Sequence, residues 1–509
     1  MRKIYFLLIT LFSLLTLSAC ECNTKYVYDM RVVDQVKFNY DDTSGEITYT
    51  LHKDVDPATV KVSATTNATW ITSIDSSNDG VIKLTFEENS DNKSRTATVT
   101  LTATSHVTKK IKVVQYGIPP KEVNHTLMFV FMGTSLNRFF NTNLEDVEKA
   151  INTGILGDSN RILFFRQDTP QRGHISELCY DPTTKSCNER RVEDNITLPS
   201  TQLTPDILAS YINTMIAEAP AQRYGIVLAG HGTAWVTRDA IREEKGASTF
   251  STSTSGVWKP AIGAEVTRAY GEEPNVHLNI SELADAIDQL DAKIDYILFD
   301  ACFMSNIESI YDLRNSANYI IASPCEIMGR GFPYERTLPY LFTDNGMTTD
   351  YIKAAESYYK FYRDEYVSSS RSGSIAVIDC HEVAALADAT KGVLESMSTG
   401  HYDRNTLQTY EGQDIHYFFD FGEWINVVAT DNSALDAFNA QLAKTVIAKY
   451  SLDTFYSAYG SYGTHAINLD VYSGITTSAP TEAYNIYSYM CQTDWYNYVW
   501  TQEAKEVIE

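Results

Sequence analysis

The stretch "YGIVLAGHGTAWV", Tyr224–Val236, runs four apolar residues into a histidine set between two glycines, and its reading decides the fold of the larger part of the chain. An apolar run without polar alternation is the mark of a strand covered on both faces, as in a parallel sheet. The run "YILFDACFM", Tyr296–Met304, repeats the arrangement and ends in Asp300, Ala301 and Cys302. Reactive groups of parallel sheets gather beyond the carboxyl ends of the strands. His231 and Cys302 are therefore expected at one rim.

Working outward, further strands are expected at "TLMFVFMGT" (126–134), "RILFFRQ" (161–167), "NYIIASP" (318–324) and "GSIAVIDC" (373–380). Amphipathic helices fall between them: "LEDVEKAIN" after Asn143, "TPDILASYINTMIAEA" opening at Thr204-Pro205, and "SELADAIDQL", where Leu283, Ala284, Ile287 and Leu290 share a face. The alternation predicts an α/β sandwich with a mostly parallel sheet over residues 125–400. Residues 233–278 interrupt it with "TRDAIREEKGASTFSTSTSG", polar enough to read as an exposed, mobile insertion. Residues 401–509 are rich in tyrosine, with a helix expected at "SALDAFNAQLAKTVIAKY", and are expected to pack on the sheet or form a subdomain.

Ahead of this part, residues 32–117 read as all-β. "GEITYTL", "VIKLTF", "RTATVTLTA" and "KKIKVVQY" carry β-branched residues in alternation, which predicts a small Ig-like sandwich. The two prolines of "IPPKEVN" mark residues 118–124 as a linker. "ATWIT" around Trp70, "FEEN", Arg95 and the closing "VVQYG" resemble the BACON domain. That resemblance implies a spacer or a binder of glycan or mucin; Trp70 is then either a sugar platform or a core ring.

The chain has 509 residues and a net charge of -24, and no dense run of Lys or Arg, so nucleic acid is excluded as a partner. "MRKIYFLLITLFSLLTLSAC" has the layout of a secretory signal over residues 1–19. Leu17-Ser18-Ala19-Cys20 resembles a lipobox, which implies lipidation of Cys20, a linker over residues 20–31, and a protein anchored in the cell envelope, outer membrane included. The other reading is an ordinary signal peptide that contains a cysteine. Eight cysteines are few for a disulfide scaffold. Cys179 and Cys187 are placed to close a small loop, and Cys325 sits after a proline as an inert thiol.

Cys302 is expected to open a helix, "FMSNIESIYDLRN", whose dipole favours thiolate. A neighbouring imidazole, His231, serves as proton carrier. Gly232 lets the backbone approach a substrate, so its N–H and that of Cys302 form a candidate oxyanion site. The residues alone equally allow a buried cysteine beside a turn histidine.

"LAGHG" with "LFDACFM" resembles the paired signatures of the clan of caspases, legumains and gingipains, and "YIIASPCEIMGRGFPY" and "CQTDWYNYV" are most similar to the clostripain family of cysteine peptidases. The resemblance spans roughly residues 125–500. It implies a caspase-like three-layer sandwich, His231 and Cys302 as catalytic residues, and Asp300 in the pocket for a basic P1 side chain; the other role for Asp300 is a helix cap. Glu326 is the second acidic candidate for that pocket, in a stretch that departs from the family's glutamate-rich pattern. Self-cleavage between the two motifs is expected after a basic residue of the insertion, Arg242 or Lys245 first, with Arg238 and Lys259 nearby; the same stretch also reads as a loop without regulatory meaning. No metal site or cofactor is expected from the spacing of His174, His381 and His416. A calcium ion remains an implication of the resemblance alone.

The expectation is thus an endopeptidase acting on peptides and proteins after Arg or Lys. The alternative is a non-catalytic surface protein that binds glycan or mucin.

Overall fold

The computed structural model describes residues 30–51, 60–91, 94–104, 107–117, 121–157, 159–241, 264–268, 276–342, 347–397, 402–413, 415–459, 466–480 and 487–500. Cys20, Arg242, Lys245 and Lys259 lie outside them. The chain divides into two compact units, Met1–Pro120 and Lys121–Glu509.

In the first unit, β1 (Met30–Val32), β3 (Ser44–Leu51), β6 (Val81–Phe86) and β5 (Ile71–Asp75) make one sheet in that order. β2 (Gln35–Phe38), β8 (Thr108–Gln115), β7 (Arg95–Ala103) and β4 (Val62–Thr66) make the other. The period-2 pattern does the work. Ile82, Leu84 and Phe86 on β6 and Ala97, Val99, Leu101 and Ala103 on β7 turn into one shared core. Trp70 is half-buried, set edge-on to Phe86 at 6.0 Å between ring centres. The Arg95 guanidinium lies 4.6 Å over the indole and is anchored at 3.0 Å to Gln115. One face of the ring is thus covered from within the domain.

The second unit is built on a nine-stranded sheet in the order β12 (Ser186–Thr197), β11 (Arg172–Asp181), β10 (Asn160–Thr169), β9 (Val123–Phe131), β13 (Ala221–Ala229), β14 (Ile294–Asp300), β15 (Ala317–Ala322), β16 (Ile375–Asp379) and β18 (Val446–Tyr450). β10, β9, β13, β14 and β15 run parallel, and the strands outside them antiparallel. The short β17 (Phe419–Asp420) pairs instead with Thr476–Thr477. Helices on both faces complete the three layers. Tyr334–Leu341 packs with both Asn137–Asn152 and Met347–Asp364, while Pro205–Glu218, Ile280–Asp288, Ile307–Asp312 and Val383–Glu395 form the other group. Ile280–Asp288 starts at a capping box in which Asn279 and Glu282 satisfy each other's backbone donors.

Four local expectations need correction. The hairpin β11–β12 carries too polar an outer strand for an apolar signature, since β12 is exposed along most of its length. Its Cys179 and Cys187 face Asn188 and Tyr180 across the hairpin as unbonded thiols. The helix near residue 440 ends at Thr445, after which Val446 and Ile447 join the sheet as β18, as β-branched residues favour. Within 233–278, Ala234, Trp235, Val236, Ala240 and Ile241 belong to the core, and so do Thr267 and Arg268 to the buried residues. The described pieces of that stretch therefore depart from the reading of an exposed insertion, because their apolar runs are too short to show a period, and residues 242–263 and 269–275 lie outside the described residues.

Candidate active site

The parallel pairing of β13 with β14 sets Ala229 opposite Asp300 and so brings both strand ends to one rim. Beyond it the two turns touch. A Cβ added to Gly232 would stand 2.4 Å from the Cys302 carbonyl oxygen and 3.1 Å from the Cys302 nitrogen, so only glycine permits this approach. His231 precedes it on the same turn, with its Nε2 2.9 Å from Ser135 Oγ, a hydroxyl on the 3-10 turn after β9.

Cys302 is fully buried. The chain reverses directly after it, with Phe303 in the left-handed region (φ 64°) and its ring stacked on Phe418 at 4.5 Å. The following helix starts only at Ile307, where Asn306 accepts the Ser309 N–H at 3.1 Å. The expected helix dipole at the thiol is therefore absent from Cys302. Burial pushes this thiol well up from its ordinary value, with the Glu326 charge adding to the shift, while the Ile327 N–H at 3.0 Å from Sγ works the other way.

The segment Ala264–Arg268 lies against this rim as an added strand. Thr267 pairs antiparallel with Met328, the Arg268 N–H donates to Ile327 O at 2.7 Å, and the Gly329 N–H donates to Val266 O at 2.6 Å. The Arg268 carbonyl accepts two hydrogen bonds, from the Gly232 N–H at 3.0 Å and the Cys302 N–H at 3.2 Å. Its guanidinium is fully buried and pairs with Asp300, itself fully buried, at 2.8 Å. Asn143 Oδ1 at 2.6 Å and the Asp300 and Gly329 carbonyls take further N–H groups. Asp300 Oδ2 also receives the Tyr334 hydroxyl at 2.6 Å and the Phe332 N–H at 3.3 Å. Asp300 is thus turned into a pocket rather than toward the next helix. Gly331 (φ +67°) closes it, for a Cβ there would fall 2.3 Å from the guanidinium and 2.6 Å from Asp300 Oδ2.

Glu326 is also fully buried, but it meets the preceding residue of the segment. Thr267 Oγ1 donates to it at 2.6 Å, the Ala458 N–H at 3.0 Å, and the Ser457 hydroxyl closes the set. Burial raises its carboxyl to about 7. Cys325 is buried next door, its thiol also raised by burial. Arg238 bonds the His277 carbonyl at 3.0 Å and Glu282 at 3.4 Å, outside this pocket. No group of three or more His, Cys, Asp or Glu suited to a metal ion occurs among the described residues.

Sequence reading passed over Arg268, Thr267, Ser135, Tyr334 and Gly331. The one signal for the segment was "AEVTR" itself, a short alternating piece ending in arginine within a polar stretch.

A cysteine and a histidine on adjoining strand ends, two converging N–H donors and an acidic pocket define a cysteine peptidase on a three-layer α/β sandwich. The model of the clostripain family matches residues 256–507. A secreted C11 cysteine protease from Bacteroides thetaiotaomicron is 26% identical, with a TM-score of 0.62 over 75% of this chain and 100% of its own. An inactive zymogen C11 protease from Parabacteroides distasonis is 25% identical, with a TM-score of 0.61 over 75% of this chain and 100% of its own. A clostripain from Bacteroides thetaiotaomicron, solved with a peptide inhibitor, is 32% identical over 44% of this chain and 95% of its own (TM-score 0.39). A comparison with curated proteins gives no match. The chain belongs to the clostripain family of cysteine peptidases.

Proposed function

We propose that this peptidase cleaves after arginine through Cys302 and His231, and that its first substrate is its own Arg268–Ala269 bond. The observation that carries the reading is the arginine already seated, with its carbonyl on two backbone N–H groups and its guanidinium on Asp300. Both donors already reach the oxygen on which an oxyanion would form.

In this reading His231 takes the Cys302 thiol proton as the sulfur attacks the Arg268 carbonyl carbon, and negative charge collects on the oxygen held by the Gly232 and Cys302 N–H groups. The C–N bond to Ala269 breaks as His231 gives the departing amine its proton, leaving a thioester. Water then attacks the thioester, releases the Arg268 carboxylate and restores the thiol. Ser135 holds the imidazole by Nε2 at 2.9 Å and so orients the ring. Acceptors spread around a planar fork favour Arg over the point charge of Lys. Until the bond is cut the segment fills the cleft, and the chain is a zymogen in cis.

Wild-type and Cys302→Ala chains, purified in parallel and sequenced from each new N-terminus, test this. The expected result is a fragment beginning at Ala269 in the wild type and an intact variant. A wild-type chain that stays whole yet hydrolyses Arg peptides at full rate would refute the cis block, and cleavage in the variant would remove Cys302 from its role.

Relatives of this chain are described as secreted. We place the mature protein in the cell envelope through a lipid on Cys20, supported by "LSAC"; fatty-acid labelling lost in Cys20→Ala tests it. No helix among the described residues is long and apolar enough to cross a membrane.

A further inference from the structure

Resting on that reading, the same segment is a template for the rest of the cleft. We infer that the peptidase selects substrates beyond P1, taking a hydroxyl side chain at P2 through Glu326 and a carboxylate at P4 through Ser368 and Tyr366.

The register follows from Arg268 at P1, which makes Thr267 P2, Val266 P3 and Glu265 P4. The backbone is read first, by the strand pairing to Ile327 and Gly329 and by the Tyr456 hydroxyl, which takes the Glu265 N–H at 2.8 Å. Side-chain selection differs at each position. Thr267 is buried and gives its hydroxyl proton to Glu326 Oε2 at 2.6 Å. Glu326 is a fully enclosed carboxyl held on its other side by Ser457 and Ala458, residues that arrive from the far end of the chain. An apolar P2 residue removes one donor from a group that water cannot reach, and such a loss is felt in full. Val266 is 41% exposed, so P3 is not read by its side chain. At P4, Ser368 donates to one Glu265 oxygen and Tyr366 to the other at 3.4 Å. Arg138 and Arg330 line the same groove, Arg330 being held by Asp146. The motif favoured from P4 to P1 is acidic, unrestricted, Thr or Ser, Arg.

The test is kcat/KM of the cut wild-type chain on four fluorogenic peptides ending in Glu-Val-Thr-Arg, Glu-Val-Ser-Arg, Glu-Val-Val-Arg and Ala-Val-Thr-Arg. Valine matches threonine in shape, so its loss reads the hydroxyl alone. We expect the P2 valine peptide to fall roughly 10- to 100-fold and serine to stay within a few-fold of threonine. We expect the P4 alanine peptide to fall roughly 3- to 10-fold, as a partly buried contact would give. In Ser368→Ala the Glu-to-Ala ratio at P4 should shrink toward one, and in Glu326→Leu, which removes the acceptor, the Thr-to-Val ratio at P2 should do the same. Equal rates for threonine and valine, with both cleaved well, overturn the P2 assignment while leaving the Arg peptidase intact. Equal rates for glutamate and alanine overturn P4 in the same way. No cleavage of any of the four overturns the underlying reading and this one with it.

Discussion

Neutralising Asp300 isolates the ion pair on which the proposed P1 pocket is built. Asp300→Asn keeps the shape of the side chain and leaves acceptors for the Tyr334 hydroxyl and the Phe332 N–H, so the pocket wall should survive. What it removes is the charge opposite a guanidinium 2.8 Å away, with both groups shut off from water. Removing one partner of a buried ion pair costs about 3–5 kcal/mol, because the remaining charge is left uncompensated. At about 1.4 kcal/mol per tenfold, that is roughly a 150- to 5,000-fold loss in kcat/KM for a free Arg peptide. The contact exists before the chemical step, so the loss should fall mainly on KM. Self-cleavage should suffer less, since a tethered segment needs no association. The assay is hydrolysis of an Arg peptide and its neutral citrulline isostere, with rates normalised to the fraction of cut chain on a gel. Wild type should prefer Arg strongly, and the variant should treat the two nearly alike. An Asp300→Asn enzyme with wild-type kcat/KM on the Arg peptide would refute the pocket assignment.

Three other outcomes follow. Gly331→Ala places a methyl group 2.3 Å from the guanidinium position at a left-handed φ, and should cut Arg-peptide hydrolysis by at least about 100-fold while far-UV circular dichroism is retained; unimpaired cleavage would show the pocket lies elsewhere. Ala269→Pro, which blocks the scissile bond without touching Arg268, should leave Cys302 buried with its thiol raised, so iodoacetamide labels it at least about tenfold more slowly than in the cut wild type; equal labelling would mean the segment does not cover the thiol. Asp312, raised by burial and by Asp494 to about 7, weakens the fold as pH climbs from its unfolded value near 4 through 7, so Asp312→Asn should raise Tm at pH 8 by several degrees and leave it unchanged at pH 4; an equal Tm gain at both pH values would remove the ionisation from the account.

The parallel core of the sheet was legible because its strands are covered on both faces, and "YGIVLAG" and "DYILFDA" can hardly be read otherwise. The same logic carried His231, Gly232, Cys302 and Asp300 to one rim. It failed where a residue's surroundings come from distant chain. β12 is an exposed, polar edge, and β18 was hidden at the end of a helix. Glu326 could be recognised as an acidic residue near the site, yet its contacts with Thr267, Ser457 and Ala458 join three separate stretches, and no local pattern encodes that meeting. The helix expected at Cys302 was misjudged for a plainer reason: "FMSN" was read as the first turn of "FMSNIESIYDLRN", while the left-handed turn at Phe303 postpones the first helical residue to Ile307.

Arg268 sharpens the point. Within one folded chain, a completely buried arginine–aspartate pair is a poor way to gain stability, since apolar side chains of the same volume do as well or better. The two residues lie 32 positions apart, and the arginine belongs to a short strand whose flanks, 242–263 and 269–275, lie outside the described structure. A pair so costly to bury is better accounted for by what replaces it. Under the proposed self-cleavage, departure of the segment would open Asp300, Asn143, the two N–H groups and the Gly329 carbonyl to another arginine. The desolvation that makes the pair a weak internal brace would then make the pocket selective, because a substrate without the matching charge would leave Asp300 uncompensated.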